Sequence, residues 1–165
     1  WDRIWRIVIA TGIGEESRQM GRSLEGLGYE RVARGVFVTP FSVSKETKSL
    51  ILAKKWQERA QIIESRKMVL GDDLKLARTL WKLDKIAEEY SDFVSVSGRL
   101  LKLARQNIVL LQQSKNGFKD VFDRYFYLLM MDPGLPKKLL PPDWQAEKAE
   151  ELFSRLVVMA KTAGI

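Results

Sequence analysis

The sequence predicts an α+β protein, with a β-α-β-β-α-β half over residues 1–72 and an α-helical half over residues 73–165. Three observations predict it. Short β-branched runs broken by glycines dominate the first half. From Asp73 onward, apolar residues recur at helical spacing instead. A run with four prolines, over 132–153, then feeds one last helical pattern.

Taken in order, residues 4–10 (IWRIVIA) form a nearly continuous β-branched run, the pattern of a buried strand. Thr11-Gly12-Ile13-Gly14 ends it. Glu15 and Glu16 suit the first turn of a helix, where carboxylates meet the positive end of the dipole. Met20, Leu24 and Leu27 give that helix an apolar stripe, and Gly28 is a C-terminal stop. Residues 29–34 and 36–40 flank Gly35 as a hairpin. Ser44 is the expected cap of a second helix reaching about Arg59, with Leu50, Ile51 and Trp56 among its buried positions. The last strand is expected within 60–70, where Ile62, Ile63, Met68 and Val69 are interrupted by the polar stretch 64–67. This element order is the ferredoxin-like arrangement.

The second half opens with Leu74, Ala77, Leu80 and Trp81 at helical spacing. A longer helix is expected from about Asp84 to Gln113, with Ile86, Tyr90, Phe93, Leu100, Leu103, Ala104 and Leu111 on one side. Residues 94–98 (VSVSG) are a candidate break in it, and Asn116-Gly117 marks a turn. Phe118, Val121, Phe122, Tyr125, Phe126 and Leu129 then fit the helical template. In the run DPGLPKKLLPPDW, Pro133, Pro136, Pro141 and Pro142 fix φ and push each preceding residue out of the α region. Leu135, Leu139, Leu140 and Trp144 are frequent for a loop, so the linker is expected to pack onto the body. Asp143 is the expected N-cap of the final helix, whose stripe is Ala146, Ala149, Leu152, Phe153 and Leu156.

Composition narrows the chemistry. The 165 residues are 45% hydrophobic and 30% charged, an ordinary balance for a soluble globular chain. The strongest apolar run, 125–131, falls short of the roughly 18 residues a membrane span needs, so no membrane partner is expected. Absence of cysteine removes disulfides and thiolate metal sites and suits a reducing cytoplasm. Absence of histidine removes the usual general base and the commonest nitrogen ligand. The net charge of +7 points to an anionic partner. That excess is spread along the chain: residues 1–98 carry 17 basic against 14 acidic side chains, and residues 99–165 carry 11 against 7.

No candidate site has a catalytic constellation. Gly12-Ile13-Gly14 precedes a helix, but Ser17 stands where the third glycine of a phosphate loop belongs, and Glu15 and Glu16 repel an anion. Asp84 with Glu88, and Asp120 with Asp123, read as solvated helix faces. Between Asp92 and Asp120, however, Arg99, Lys102, Arg105, Lys115 and Lys119 occur without a single acid. Arg99, Lys102 and Arg105 share a broad helix face that suits phosphates. No cofactor and no metal site is expected.

The proline run also carries a resemblance. Asp132, Pro133, Leu135, Pro136, Leu139, Leu140, Pro141, Asp143 and Trp144 resemble the D-P-x-L-P-x-x-L-L-P-x-D-W signature of the PaaX-type repressors of phenylacetate degradation. Trp1, Asp2, Trp5 and Arg6 match that family's W-D-x-x-W-R motif. Leu27-Gly28-Tyr29, Gly35-Val36-Phe37-Val38 with Pro40, and Ala77 with Trp81 and Asp84 match further motifs in the expected order. The resemblance implies a ferredoxin-like central domain similar to the CRISPR-associated nucleases, followed by a C-terminal domain, which together give dimerisation and the response to an aryl-acyl-coenzyme A effector. It also implies that the family's DNA-reading winged helix lies upstream of Trp1. Two positions depart from the family or its relatives. The nucleases carry a metal-binding aspartate at the end of the first strand, where this chain reads Ile9-Ala10-Thr11-Gly12. Family members often place an H-x-Y-R-like group before the proline run, where this chain has Asp123-Arg124-Tyr125-Phe126 and keeps only the tyrosine. The effector residues expected are therefore Arg99, Lys102, Arg105, Arg124 and Tyr125. The reading is a non-enzymatic, homodimeric regulator part. Its alternatives are a ferredoxin-like metal-dependent nuclease relative and a nucleic-acid or protein interaction module.

Overall fold

The computed structural model describes residues 1–106 and 115–164, with side chains described outside 104–116 and 163. The chain forms two compact units, Trp1–Lys82 with Pro133–Leu140 and Leu83–Asp132 with Pro141–Ile165.

The first unit carries β1 (Trp5–Ala10), α1 (Gly14–Glu25), β2 (Glu30–Ala33), β3 (Val36–Thr39), α2 (Ser44–Ala53), β4 (Ala60–Ser65) and α3 (Asp73–Leu80). The sheet is antiparallel throughout, in the order β2-β3-β1-β4, which is the ferredoxin-like topology expected from the sequence. Strand alternation divides its two faces. Val8, Phe37 and Ile62 pack with Met20 and Leu24 of α1 and Ile51 of α2. Trp5, Ile7, Ile9 and Ile63 point to the other face, where Trp81 stacks on Trp5 at 6.3 Å. The hairpin turn depends on Gly35, whose φ is +73° and whose missing Cβ would stand 2.3 Å from the Ala10 carbonyl oxygen.

Several local expectations are corrected here. α2 stops at Ala53 rather than Arg59. Lys55 adopts φ +59°, Lys55 N–H donates to the Leu52 carbonyl, and Trp56 N–H donates to that of Ile51. These bonds make a Schellman cap, in which lysine occupies the position usually given to glycine. Trp56 is buried as expected, but against Ile51 from outside the helix. Ser44 does not cap α2: its hydroxyl bonds Glu64 at 2.5 Å, and the N-cap position is Val43. β4 ends at Ser65, opposite Trp5 at the start of β1, because no partner strand continues beyond that pair. Met68 and Val69 therefore lie outside the sheet.

The second unit is three helices, α4 (Leu83–Gln106), α5 (Lys115–Met131) and α6 (Ala146–Ala163). Ile86, Tyr90, Phe93 and Leu101 of α4 meet Phe118, Val121, Tyr125 and Leu128 of α5 and Ala149, Leu156 and Ala160 of α6. Residues 94–98 do not break α4, since Val94 and Val96 pack against this core and offset the roughly 1 kcal/mol penalty of Gly98. Of the leucines late in α4, Leu101 is buried, in register with Phe93, whereas Leu103 is exposed. Asn116-Gly117 lies within α5 rather than in a turn. Near the end of α5 Leu128 is buried, while Phe126 and Leu129 are exposed. The side chain of Ala104, as well as Leu111 and the expected helix end at Gln113, lies outside the described residues. α6 begins at Ala146, not after Asp143, because Trp144 N–H closes a turn onto the Pro141 carbonyl at 3.1 Å and holds Asp143 ahead of the helix. Among the described residues, no helix is long and apolar enough to cross a membrane.

Candidate functional site

The motifs at the two ends of the chain resolve into two tethers. In the first, β1 places Arg6 on the helix-facing side of the sheet with only 3% of its surface exposed. A buried guanidinium needs acceptors for its donors. Asp2 pairs with it through both carboxylate oxygens, and the Ile4 carbonyl accepts at 2.9 Å. The Glu64 carboxylate stands 3.7 Å from Nε, close enough for charge attraction but too far for a hydrogen bond. Its hydrogen bond from Arg6 holds the Asp2 carboxyl down at about 2. Trp5 lies next along the strand, and its indole Nε1 donates to Asp73 Oδ1 at 2.7 Å, while Trp1 packs edge-on against it.

The second tether lies in the second unit. The Tyr90 hydroxyl, on α4, donates to Asp132 Oδ2 at 2.7 Å, and Trp144 packs edge-on against the Tyr90 ring at 5.3 Å. Burial, followed by this hydrogen bond, pushes the phenol well above its ordinary range. The two ends of the proline run, Asp132 and Trp144, therefore converge on one residue. Between them Leu135 and Leu139 are buried in the first unit, Pro141 is buried, and Leu140 is half-buried; Pro133 and Pro136 stiffen the path. Asp143 is exposed, and Asp84 sits in the first turn of α4.

The residues expected to hold an effector lie on two helices, α4 and α5. Tyr125 is buried, and its ring stacks on Phe153 at 4.0 Å and 14°; burial also raises its phenol. Arg124 reaches back to α4, at 3.4 Å from Glu89 and 3.6 Å from Asp92. Arg99 and Lys102 are exposed on α4, away from the buried line through Phe93, Ser97 and Leu101. The side chain of Arg105 lies outside the described residues.

A concavity that sequence reasoning missed lies between α4 and α6. It encloses about 380 Å³ and is lined by Leu101, Ser154, Arg155, Val158 and Met159. Its walls are apolar, with one guanidinium at the edge that also pairs with Glu151 at 3.3 Å. Such a site accepts an apolar body carrying a negative charge. The signal available in the sequence was Arg155 three and four residues before Val158 and Met159, close enough to share one helix face.

The acids nearest the end of β1 are already neutralised. Glu15 pairs with Arg18 and Arg22, and Glu16 pairs with Arg59. Among the described residues, no three acids gather where they could hold a metal ion.

Comparisons with known proteins bear on both units. The family model described as PaaX protein central Cas2-like domain matches residues 1–77, and that described as PaaX-like protein C-terminal domain matches residues 81–164. No curated protein matches the chain. Among solved structures, the chain is similar to the uncharacterized protein Rv0674 from Mycobacterium tuberculosis, with a TM-score of 0.61 and 20% identity over 99% of this chain. The chain spans 63% of that protein's length, and the likeness concerns the fold alone.

Proposed function

Because this chain belongs to the PaaX-like family of transcriptional regulators, we propose that it is the effector-sensing and dimerisation part of such a regulator and has no catalytic activity of its own. The observation that carries this reading is the pair of family matches, over residues 1–77 and 81–164. DNA is reached through a winged helix that precedes these two domains in the regulator, and the cytoplasm is its place of action. The effector is an anionic amphiphile of the aryl-acyl-coenzyme A class. Its apolar end enters the concavity between α4 and α6, with Arg155 at the mouth and the exposed Arg99 and Lys102 available to phosphates.

The mechanism is linkage. A ligand shifts operator affinity only through its different affinities for the states that bind DNA well and poorly. A site formed by two helices suits that task, because a small change in the spacing of α4 and α6 alters how the second unit packs.

Two measurements test the proposal. Calorimetric titration of the chain with an aryl-acyl-coenzyme A should show binding, weakened about tenfold in Arg155→Gln and in Val158→Glu. Equal binding of free coenzyme A, or no effect of either substitution, refutes the assigned effector site. A gel-shift assay of the intact regulator should show sequence-specific retardation of DNA, and its absence refutes the regulator reading. The metal-dependent nuclease alternative loses support from the donor set, since the first strand ends without an acid and the nearest carboxylates are held by arginines.

A further inference from the structure

The link between β4 and α3 has no role in the effector site. It reads Arg66-Lys67-Met68-Val69-Leu70-Gly71-Asp72, with Asp73 opening α3. Val69 and Leu70 are each 92% exposed, an unusual state for two adjacent branched aliphatics. No backbone–backbone hydrogen bond among the described residues involves 66–71. On β4, just before this link, Ile63 is 42% exposed. Arg66 and Lys67 enter no ion pair among the described residues.

The order of the residues is self-complementary. Two basic residues precede the apolar centre and two acids follow it. Laid antiparallel against itself, the segment sets Val69 against Leu70, Lys67 against Asp72 and Arg66 against Asp73. A parallel arrangement would set each charge against its own kind, so charge selects the antiparallel one. We infer that two copies of this chain meet about a twofold axis at this segment, Val69 and Leu70 of each packing on those of the other. This rests on the dimerisation proposed above and gives it a surface. A twofold contact needs one patch that complements itself, and this segment meets that need. The apolar area is most of what such an interface needs, the charged residues of the segment adding to it. A fully accessible valine, leucine or isoleucine offers roughly 150–180 Å², so Val69, Leu70 and Ile63 present about 370 Å² per copy. A standard interface takes about 800 Å² from each partner, a little over half of it non-polar.

Sedimentation equilibrium on the chain tests this. The expected result is a concentration-dependent dimer whose Kd rises about tenfold or more in Leu70→Asp. Asp72→Asn should weaken the dimer and reduce its salt dependence; it keeps the oxygen that accepts from Lys75 N–H, so α3 stays capped. The chain has no cysteine, so a single introduced thiol reports without ambiguity. Leu70→Cys should give a covalent dimer with a short bismaleimide, and Ile13→Cys, exposed beyond the other end of β1, should not. A dimer indifferent to Leu70→Asp, or not cross-linked at Leu70, overturns this surface and leaves dimerisation to another. A dimer indifferent to Asp72→Asn overturns the antiparallel charge pairing. A chain that stays monomeric at all concentrations overturns both the surface and the dimerisation.

Discussion

Replacing Tyr90 with phenylalanine isolates the hydroxyl that ties α4 to the end of α5. The ring stays, with its edge contact to Trp144 and its burial in the core, so no cavity opens. What is lost is one hydrogen bond of 2.7 Å to a carboxylate. A bond to a charged partner contributes about 1.5–3 kcal/mol, and Asp132 is half-exposed, so water takes up part of the loss and about 1–2 kcal/mol is expected. Urea unfolding followed by circular dichroism should show a lower midpoint with an unchanged slope. Asp132 has further interactions of its own, so the pair is best measured as a double-mutant cycle with Asp132→Asn, in which the coupling should be about 1 kcal/mol. The same substitution has a signature in pH. The Tyr90 pKa is raised in the fold, so the unfolded chain gives up that proton first, from about its ordinary 10.0. Stability from this group is complete below that value and is lost as pH rises beyond it. Tyr90→Phe should therefore flatten the alkaline limb of the stability curve, and the slope left should come from Tyr29 and Tyr125, which burial also raises. A midpoint within experimental error of the wild type, or an unchanged alkaline limb, refutes the tether.

Other substitutions probe the first unit and the aromatic core. Gly35→Ala places a Cβ against the Ala10 carbonyl at a φ of +73°, and a loss of about 2–4 kcal/mol is expected in thermal or urea unfolding. Asp2→Asn should remove part of the acid sensitivity. The Asp2 carboxyl is depressed to about 2, so its contribution is present above 3.8 and fades as pH falls towards 2; the variant should show a flatter acid limb over that window. Phe153→Ala removes the ring stacked on Tyr125 and edge-on to Phe122 and Phe126, and about 3 kcal/mol of stability should go with it.

The order of strands and helices was legible because each element carries a period of its own. Val8 and Phe37 alternate with outward residues, and Phe118, Val121 and Tyr125 repeat around α5. Ends were less legible, because they depend on bonds between distant residues or on unusual cap residues. Nothing in Lys55 announces a left-handed cap, and Ser44 turns to Glu64, which arrives from a strand 20 residues later. The candidate site was the least legible part. Spacing put Arg124 beside Tyr125, but sequence carries no sign that Glu89 and Asp92 hold the first or that Phe153 covers the second. The concavity between α4 and α6 depends on the crossing of two helices, and crossing is fixed by packing that no single stretch records.

The two signatures that mark the chain's family share one physical feature, and it separates them from the groove of the proposed effector site. In each, an acid is bound by one partly or fully buried group, Asp2 by Arg6 and Asp132 by Tyr90. Each also carries a tryptophan, Trp144 packed on the Tyr90 ring and Trp5 on the opposite face of the sheet from Arg6, where it bonds Asp73. Breaking Asp2–Arg6, Asp132–Tyr90 or Trp144–Tyr90 leaves a buried polar group without its partner or a core ring without its neighbour, so these positions have little freedom to serve a ligand. The groove residues are placed differently. Ser154, Arg155 and Val158 are exposed, and their replacement disturbs little of the core formed by Ala149, Leu156 and Ala160 on the same helix. On the proposed reading, a regulator that keeps its fold while changing its effector would have its freedom there, on the outer edge of α6, and not in the family motifs.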